Sequence, residues 1–150
     1  MPQTRLIYIS RLARPLDNAE LQRLVGSAQI HNRRRDITGL LAFTGRHFVQ
    51  VLEGDDAALD RLLTSLMADP RHTAVKVLWR QSIATRQYDR WAMHLVSGLD
   101  LADEVQTLAE AEPVDAAAAL ALTARLFHRP ELGMVPHSPL ADQDLDQRGH

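Results

Sequence analysis

The chain has 150 residues, of which 45% are hydrophobic and 24% are charged, with a net charge of −2. These values are ordinary for one globular domain with its own core, and a dedicated nucleic-acid binder is usually basic. The absence of cysteine excludes disulfides, thiolate metal sites and cysteine nucleophiles. Neither a signal peptide nor an apolar run of membrane-spanning length is evident, so we expect a cytoplasmic protein without a membrane or nucleic-acid partner.

The first third of the chain predicts a strand, a helix and a hairpin. The segment RLIYIS, residues 5–10, has the composition of a strand. Asp17 followed by Glu20 has the spacing of a capping box, which predicts the start of a helix. The segment DITGLLAFTGRHFVQVLEG, residues 36–54, predicts two strands joined by a tight turn at 44–46.

Three further segments predict a helix and two strands. Asp55 and Asp56 favour a helix start, because acidic side chains stabilise a helix N-terminus. The segments AVKVLWRQSIA, residues 74–84, and WAMHLVS, residues 91–97, predict the last two strands. In the resulting order β-α-β-β-α-β-β, the first six elements match the ferredoxin-like pattern. We therefore expect an α+β fold, with an extra fifth strand and both helices on one face of the sheet. The apolar stripe of the second helix consists of Leu59, Leu62, Leu63 and Leu66.

Two helical patterns follow, at residues 101–112 and 114–127, separated by Pro113. Their apolar residues need a surface to pack on, and the sheet face opposite the first two helices would otherwise be exposed. We expect these C-terminal helices to cover that face, which carries Ile7, Ile9, Val49 and Val51. The expected division of the chain is a folded domain at 1–97, a helical extension at 98–128 and a loosely ordered tail at 129–150.

A polar side chain lies where the pattern predicts core. Gln50 shares one strand face with Phe48 and Leu52, and a buried amide without a partner costs about 1–3 kcal/mol. If the Leu6 face of the first strand meets the helices, Tyr8 and Asn32 lie in the same layer as Gln50, where three converging polar groups favour a small-molecule pocket. The alternation does not decide between the two faces of that strand, because both are apolar enough to be buried. Taken singly, each residue also has an ordinary structural explanation, since a buried Tyr often binds a backbone carbonyl and a helix-terminal Asn is often a cap.

Catalytic and metal-binding patterns are missing from the sequence. It contains no nucleophile elbow, phosphate-binding glycine loop or convincing carboxylate pair, and no paired histidines for a metal. We therefore expect no enzymatic activity. From the fold pattern alone, an acylphosphatase-like hydrolase using Asn and Arg on phosphate stays open. An RNA-binding sheet needs exposed aromatics and a basic face, whereas aromatics are 5% of this chain.

Five segments occur in an order and spacing that resemble a known family: LIYIS, HNRRRDITGLLAF, FVQVLEG, DPRHTAVKVL and WAMHLV. Together they resemble the BLUF domain, the blue-light sensor using flavin, over roughly residues 5–97. The resemblance implies a non-covalently bound flavin, FAD, with FMN and riboflavin as alternatives. It also implies a signal that passes to a partner protein, which the sequence does not identify.

The resemblance implies four residues that respond to light. Tyr8 matches the family's electron and proton donor, and Gln50 matches the relay between that phenol and the flavin. Trp91 and Met93 match a pair whose positions near the Gln change on illumination. We expect any such change to reach residues 101–127 and, with them, a homo-oligomer or partner interface.

The flavin-binding residues are implied in the same way. Asn32 and His31 match contacts to the flavin, Asn32 at the polar edge of the ring, and Leu24 and Leu66 match the apolar walls on its two faces. Residues near the ribityl-phosphate chain are matched by Arg71 and His72. The chain departs from the family's frequent pattern at three positions, with Ala28 in place of Ser, Ser65 in place of a basic residue and His31 in place of Asn. These departures leave open the resting orientation of Trp91 and one phosphate contact.

Overall fold

A five-stranded sheet forms the middle layer of the molecule. The computed structural model describes residues 2–89 and 92–132. The elements in chain order are β1 (Gln3–Leu12), α1 (Asn18–Arg34), β2 (Thr38–Phe43), β3 (His47–Asp55), α2 (Asp56–Ala68), β4 (His72–Ile83), β5 (His94–Ser97), a 3₁₀ turn (Leu99–Leu101), α3 (Ala102–Glu110) and α4 (Ala116–Leu126). Among the described residues, no helix combines the length and apolarity needed to cross a bilayer.

The sheet has the strand order β4-β1-β3-β2-β5. Strands β1 to β4 pair antiparallel, and β5 joins the free side of β2 in parallel. The predicted α+β fold, with a ferredoxin-like core and a fifth strand, is confirmed. β5 is therefore an edge strand.

The start of α1 follows the predicted capping box. The Glu20 backbone N–H donates to Asp17 Oδ1 over 2.8 Å, and the Asp17 N–H donates to Glu20 Oε1 over 3.0 Å. Such a cap contributes about 1 kcal/mol. The helix buries Leu21, Val25 and Asn32 against the sheet. Asn32 thus reaches the core because it lies on the same helical stripe as the apolar residues.

The predicted hairpin forms around the turn at 44–46. Gly45 has φ +96°, a conformation that glycine adopts without steric cost. The Thr44 hydroxyl accepts the His47 N–H over 2.9 Å, which closes the turn. The hairpin fixes the register of β3 against β2 and, through β1, sets which side chains face each helix layer.

The two faces of the sheet are covered by different helices. On the α1/α2 face, Leu6, Tyr8 and Leu52 pack with α2, and Phe48 packs with α1. On the α3/α4 face lie the four residues expected there, and they pack with α3 and α4 as predicted: Ile7, Ile9, Val49 and Val51, against Val105, Leu108, Ala119, Leu122 and Leu126. Leu120 is an exception to the expectation that the apolar residues of this helix pack on the sheet. Its side of α4 faces solvent, and the residue is 38% exposed.

β5 begins later than predicted. The pattern predicts a strand from residue 91, whereas the structure has the strand at His94–Ser97. Ala92 and Met93 precede it, and their carbonyls accept side-chain hydrogen bonds from Asn32 Nδ2 over 2.8 Å and from Gln29 Nε2 over 3.1 Å. These carbonyls are therefore held by α1. Trp91 and residues 133–150 of the predicted tail lie outside the described residues.

The connection from β4 to β5 crosses the end of the sheet and is anchored by a buried carboxylate. Glu53 is fully buried, and Arg5 Nε donates to its Oε2 over 2.8 Å. The backbone N–H groups of Gln87 and Tyr88 donate to the two Glu53 oxygens over 3.0 and 2.8 Å. A buried charge persists only when it is paired and hydrogen-bonded, as Glu53 is.

Candidate functional site

A cavity of about 300 Å³ lies between α1, α2 and the sheet. Its walls come from the α1/α2 face of β1 and β3, the inner faces of both helices, the start of β4 and the residue before β5. The structure brings nine of the ten sequence-predicted site residues together around this cavity. They are Tyr8, Leu24, His31, Asn32, Gln50, Leu66, Arg71, His72 and Met93. The tenth, Trp91, lies outside the described residues.

Tyr8 and Gln50 face each other directly across β1 and β3. Both side chains are buried, and the Tyr8 hydroxyl donates a hydrogen bond to Gln50 Oε1. Burial raises the pKa of the Tyr8 phenol above its usual value, since the phenolate would lose solvation. The phenol therefore keeps its proton at neutral pH and acts as a hydrogen-bond donor.

The other end of the Gln50 amide points to Met93. Gln50 Nε2 lies 3.1 Å from Met93 Sδ, and a thioether is a weak acceptor. An amide nitrogen has two N–H donors, so this end retains donor capacity toward the cavity. The Tyr8 hydrogen bond thus orients Gln50 so that its donor end faces the cavity.

Asn32 supplies a second amide. Its Nδ2 donates to the Ala92 carbonyl, and the side chain is 2% exposed. Within the described ranges, Asn32 Oδ1 has no hydrogen-bond donor, and a buried acceptor left unpaired is costly. The cavity is thus lined by an amide donor from Gln50 and an amide acceptor from Asn32, which matches a planar ligand edge that carries both kinds of group.

Apolar side chains form two opposed walls. Leu24, Val25 and Ala28 come from α1, and Leu62 and Leu66 come from α2. A flat aromatic ring packs well between two such walls, with its polar edge toward the amides. The walls and the amide pair together fit the isoalloxazine ring of a flavin.

One end of the cavity is charged. The Arg71 guanidinium makes a two-point ion pair with Asp69, with Nε–Oδ1 at 3.0 Å and Nη2–Oδ2 at 2.7 Å. This pair lowers the pKa of the Asp69 carboxyl. Arg35 also lines the cavity. The lining of the cavity therefore includes two guanidinium groups, one of them already paired with a carboxylate, and guanidinium groups are suited to binding phosphate.

His72 lies between the charged end and the sheet. Its Nδ1 is 3.1 Å from the Ser10 hydroxyl, and its ring centroid is 5.6 Å from that of Phe48. Burial lowers the pKa of the imidazole, because the charged form would be desolvated. His72 is therefore a neutral hydrogen-bonding group at neutral pH.

Several lining residues lie outside the sequence-based expectation. Arg35 follows Asn32 by three positions, so helical spacing places it on the same side of the chain. Asp69 precedes Arg71 by two positions, and nothing in the sequence pattern predicts that the two residues form an ion pair. Ser27 and Phe48 also line the cavity. Among the described residues, no group of three acidic, His or Cys side chains is placed to bind a metal ion.

Two curated relatives are similar over the same part of the chain. The photoactivated adenylate cyclase subunit beta of Euglena longa is 36% identical over 85 residues, which are 57% of this chain and 10% of that protein. The blue light- and temperature-regulated antirepressor BluF of Escherichia coli strain K12 is 30% identical over 92 residues, which are 61% of this chain and 23% of that protein. The chain thus spans less than a quarter of the length of either relative.

A solved structure and a family match point the same way. The dark-state structure of BlrB, a BLUF protein, superposes with a TM-score of 0.69 at 28% identity, covering 84% of this chain and 95% of that one. The family described as sensors of blue-light using FAD matches residues 4–94. These matches do not support the acylphosphatase-like alternative. The chain belongs to the BLUF family of blue-light flavin photoreceptors.

Proposed function

We propose that this chain binds FAD in the cavity between α1 and α2, and that Tyr8 and Gln50 convert light absorption into a change of hydrogen bonding. The carrying observation is the buried Tyr8–Gln50 hydrogen bond, which leaves an amide donor facing the cavity. Asn32 lines the same cavity, and among the residues that the structure describes its Oδ1 accepts no hydrogen bond.

The residues present fit a flavin. Leu24 and Leu66 would hold the two faces of the ring, while Gln50 and Asn32 would bind its polar edge. His31 would make a further contact to the flavin, and Arg71 and His72 would lie near the ribityl-phosphate chain. The residues that line the cavity would contact only the flavin ring and the first phosphate. FMN and riboflavin are therefore alternatives to FAD, and analysis of the released cofactor has to distinguish the three.

When bound, the flavin supplies absorption of blue light and, once excited, a strong one-electron oxidant. Tyr8 would release an electron to the excited ring and pass its phenol proton along the existing hydrogen bond to Gln50 Oε1, while Gln50 Nε2 would release a proton toward the ring. Return of both to Tyr8 restores the phenol. The Gln50 amide, having rotated or tautomerised, would then present a different group to the cavity, and a stronger hydrogen bond to a ring carbonyl would shift the absorption to the red.

The output is proposed to leave through β5 and the C-terminal helices. Gln50 contacts Met93, and Met93 leads directly into β5, which continues into α3 and α4. Residues 1–97 would thus be the sensing part and 98–128 the output part, acting on a partner protein or a homo-oligomer. Hydrogen exchange in dark and light tests this route, because equal protection of residues 91–127 in both states would contradict it.

The proposed function is tested first by colour. The purified protein is expected to be yellow, to release FAD on heating, as identified by chromatography, and to show a small reversible red shift under blue light. Absence of flavin from every preparation, including one refolded with added FAD, would contradict the proposal.

A further inference from the structure

The chain that leaves α4 returns to the outer edge of β5. The Leu132 N–H donates to the Leu95 carbonyl over 2.7 Å, a backbone pairing of the kind that one strand makes with another. β5 is the edge strand beyond β2. Residues 129–132, named here the strap, therefore occupy the edge where a further strand would pair.

Arg129 holds the other end of the strap. Its Nη1 donates to the Ser97 carbonyl over 2.8 Å, and its guanidinium pairs with both Asp100 carboxylate oxygens at 2.7 and 2.8 Å. Alternate residues of a strand direct their carbonyls to the same edge. The carbonyls of Leu95 and Ser97 thus lie on the same free edge of β5, and both accept hydrogen bonds from the strap.

The strap also reaches the α1/α2 face. The Leu132 side chain packs against the cluster that contains Met93, Leu95 and Phe48. Met93 is the residue whose Sδ receives the Gln50 amide. The strap is therefore in contact with the segment that leads from the cavity into β5.

The side-chain contacts of the strap are only partly buried, and they include His94 Nε2 at 3.2 Å from the Arg129 carbonyl. The Arg129–Asp100 pair is partly exposed, with 29% and 63% of the two side chains accessible, and exposed ion pairs contribute little. Leu132 is only partly buried. Segments with few buried contacts open at low free energy, and Leu132 packs on the cluster that contains Met93.

We propose that the strap is released when Met93 moves, and that the uncovered β5 edge binds an extended segment of a partner protein. This inference rests on the proposed photoreceptor function. A partner segment that replaces the strap has to supply the same groups, namely a backbone N–H that donates to the Leu95 carbonyl and an aliphatic side chain in the place of Leu132. Strand addition of this kind takes its affinity from main-chain hydrogen bonds and its specificity from the side-chain pocket.

The strap is tested first in the dark. Because the chain has no cysteine, Arg23→Cys and Glu131→Cys place two spin labels at exposed positions, one on α1 and one on the strap. The full-length flavin-loaded protein is expected to give one narrow distance distribution. Arg129→Ala with Leu132→Ala should broaden it. Arg125→Ala is the matched control, since it removes the ion pair between Arg125 on α4 and Glu104 on α3 and leaves the β5 edge untouched. A broad distribution before any strap substitution would overturn the proposal.

Illumination of the same labelled protein separates the two proposals. A red shift together with a broadened distance supports release of the strap. A normal red shift with an unchanged distance would overturn strap release and leave the photoreceptor function intact. Absence of a red shift would overturn the photoreceptor function and with it light-driven release, while the dark measurement still decides whether the strap holds the edge.

The docking edge is tested with a labelled peptide that carries the sequence of residues 128–134. Anisotropy is expected to show about tenfold tighter binding to the Arg129→Ala/Leu132→Ala protein than to the dark wild type, because the edge is no longer occupied. The lit wild type should approach the variant. Equal binding to all three would overturn the proposal. If the variant forms dimers and does not bind the peptide, the β5 edge binds a second copy of this chain, and the proposal that it binds a partner protein is overturned.

Discussion

The Tyr8 phenol donates its hydrogen bond to Gln50 Oε1 from the directly opposite position on the neighbouring strand. Because the two residues form a cross-strand pair, the register of β1 and β3 alone places the donor opposite the acceptor, and no loop is needed to position them. The amide then directs Nε2 toward Met93 and the cavity. A rearrangement at this pair therefore changes the hydrogen-bonding groups that face the cavity, and it also changes a contact to the residue that leads into β5.

Tyr8→Phe is expected to keep the flavin and abolish the red shift. The ring still packs in the core, whereas the hydroxyl that donates to Gln50 is lost. Loss of this donor to a buried acceptor should cost about 1–3 kcal/mol of unfolding free energy. Difference spectra under blue light measure the shift. Tyr88→Phe is the control, because Tyr88 is equally buried but lies on the α3/α4 face, and it should photocycle normally. A normal red shift in Tyr8→Phe would contradict the donor assignment and make Trp91 the next candidate.

Gln50→Leu is expected to stay yellow and to show no red shift, because the substitution removes the hydrogen-bonded group between Tyr8 and the cavity. Leucine fills a similar volume, so the cavity wall is retained. The exposed Gln106→Leu on α3 serves as the control and should behave as the wild type. The assignment of the relay fails if Gln50→Leu gives the wild-type difference spectrum.

Asn32→Ala is expected to weaken flavin retention. The substitution removes the acceptor that faces the cavity and also the donor that holds the Ala92 carbonyl. A loss of about 1–3 kcal/mol corresponds to a dissociation constant roughly fivefold to 150-fold higher. Fluorescence titration of the apoprotein with FAD measures it. Asn18→Ala, at the exposed start of the same helix, should leave the affinity unchanged. Equal affinity in the two variants would exclude Asn32 from the binding site.

The faces of the sheet could be predicted because strand residues alternate sides. That rule divided the side chains of β1 and β3 between two faces, although it left open which face of β1 meets the helices, and the capping box at Asp17 predicted the start of the helix that carries Asn32. Both signals are local, since each depends on residues within a few positions of one another. The structure confirms the layer and the helix start.

Features that depend on distant partners were not predictable in this way. β5 starts late because α1 side chains hold the carbonyls of Ala92 and Met93, and these partners are about 60 residues apart in the chain. The buried Glu53 depends on Arg5 and on two backbone groups of the β4–β5 connection. Alternation places Glu53 on a buried face, but it does not identify what neutralises the charge.

The buried imidazole of His72 predicts a pH dependence. Burial lowers the pKa of His72 below its ordinary value of 6.5, so between these two values the unfolded chain binds more protons than the folded one. Unfolding free energy therefore rises with pH in this window and falls as the pH drops through about 6.5. Urea unfolding of the apoprotein from about pH 5 to pH 8 measures it. His72→Gln should flatten part of the slope. Burial also lowers the pKa of His47, so some slope should remain.

His128→Gln is the control for loss of an exposed imidazole. If His72→Gln and His128→Gln change the slope equally, burial of His72 is not the cause.

The packing of α4 on the sheet predicts different effects for two leucines on one helix. Leu122 is fully buried against the α3/α4 face, whereas Leu120 is 38% exposed. Leu122→Ala should lower the unfolding free energy by about 2–5 kcal/mol, because it removes buried methyl groups and leaves a cavity. Leu120→Ala should change it by less than about 1 kcal/mol, since the site faces solvent. Urea midpoints with an unchanged denaturant slope measure both.

The same pair tests whether α4 belongs to the cooperative unit that holds the flavin. If α4 unfolds together with the sheet, Leu122→Ala lowers the temperature at which flavin is released along with that of global unfolding. If α4 opens independently, flavin release stays at the wild-type temperature while the helical signal is lost earlier. The α4 residues share one buried apolar cluster with Ile7, Val49 and Val51, which predicts the first outcome. Separate transitions in Leu122→Ala, with a single transition in Leu120→Ala, would show that the α3/α4 layer is a distinct unit.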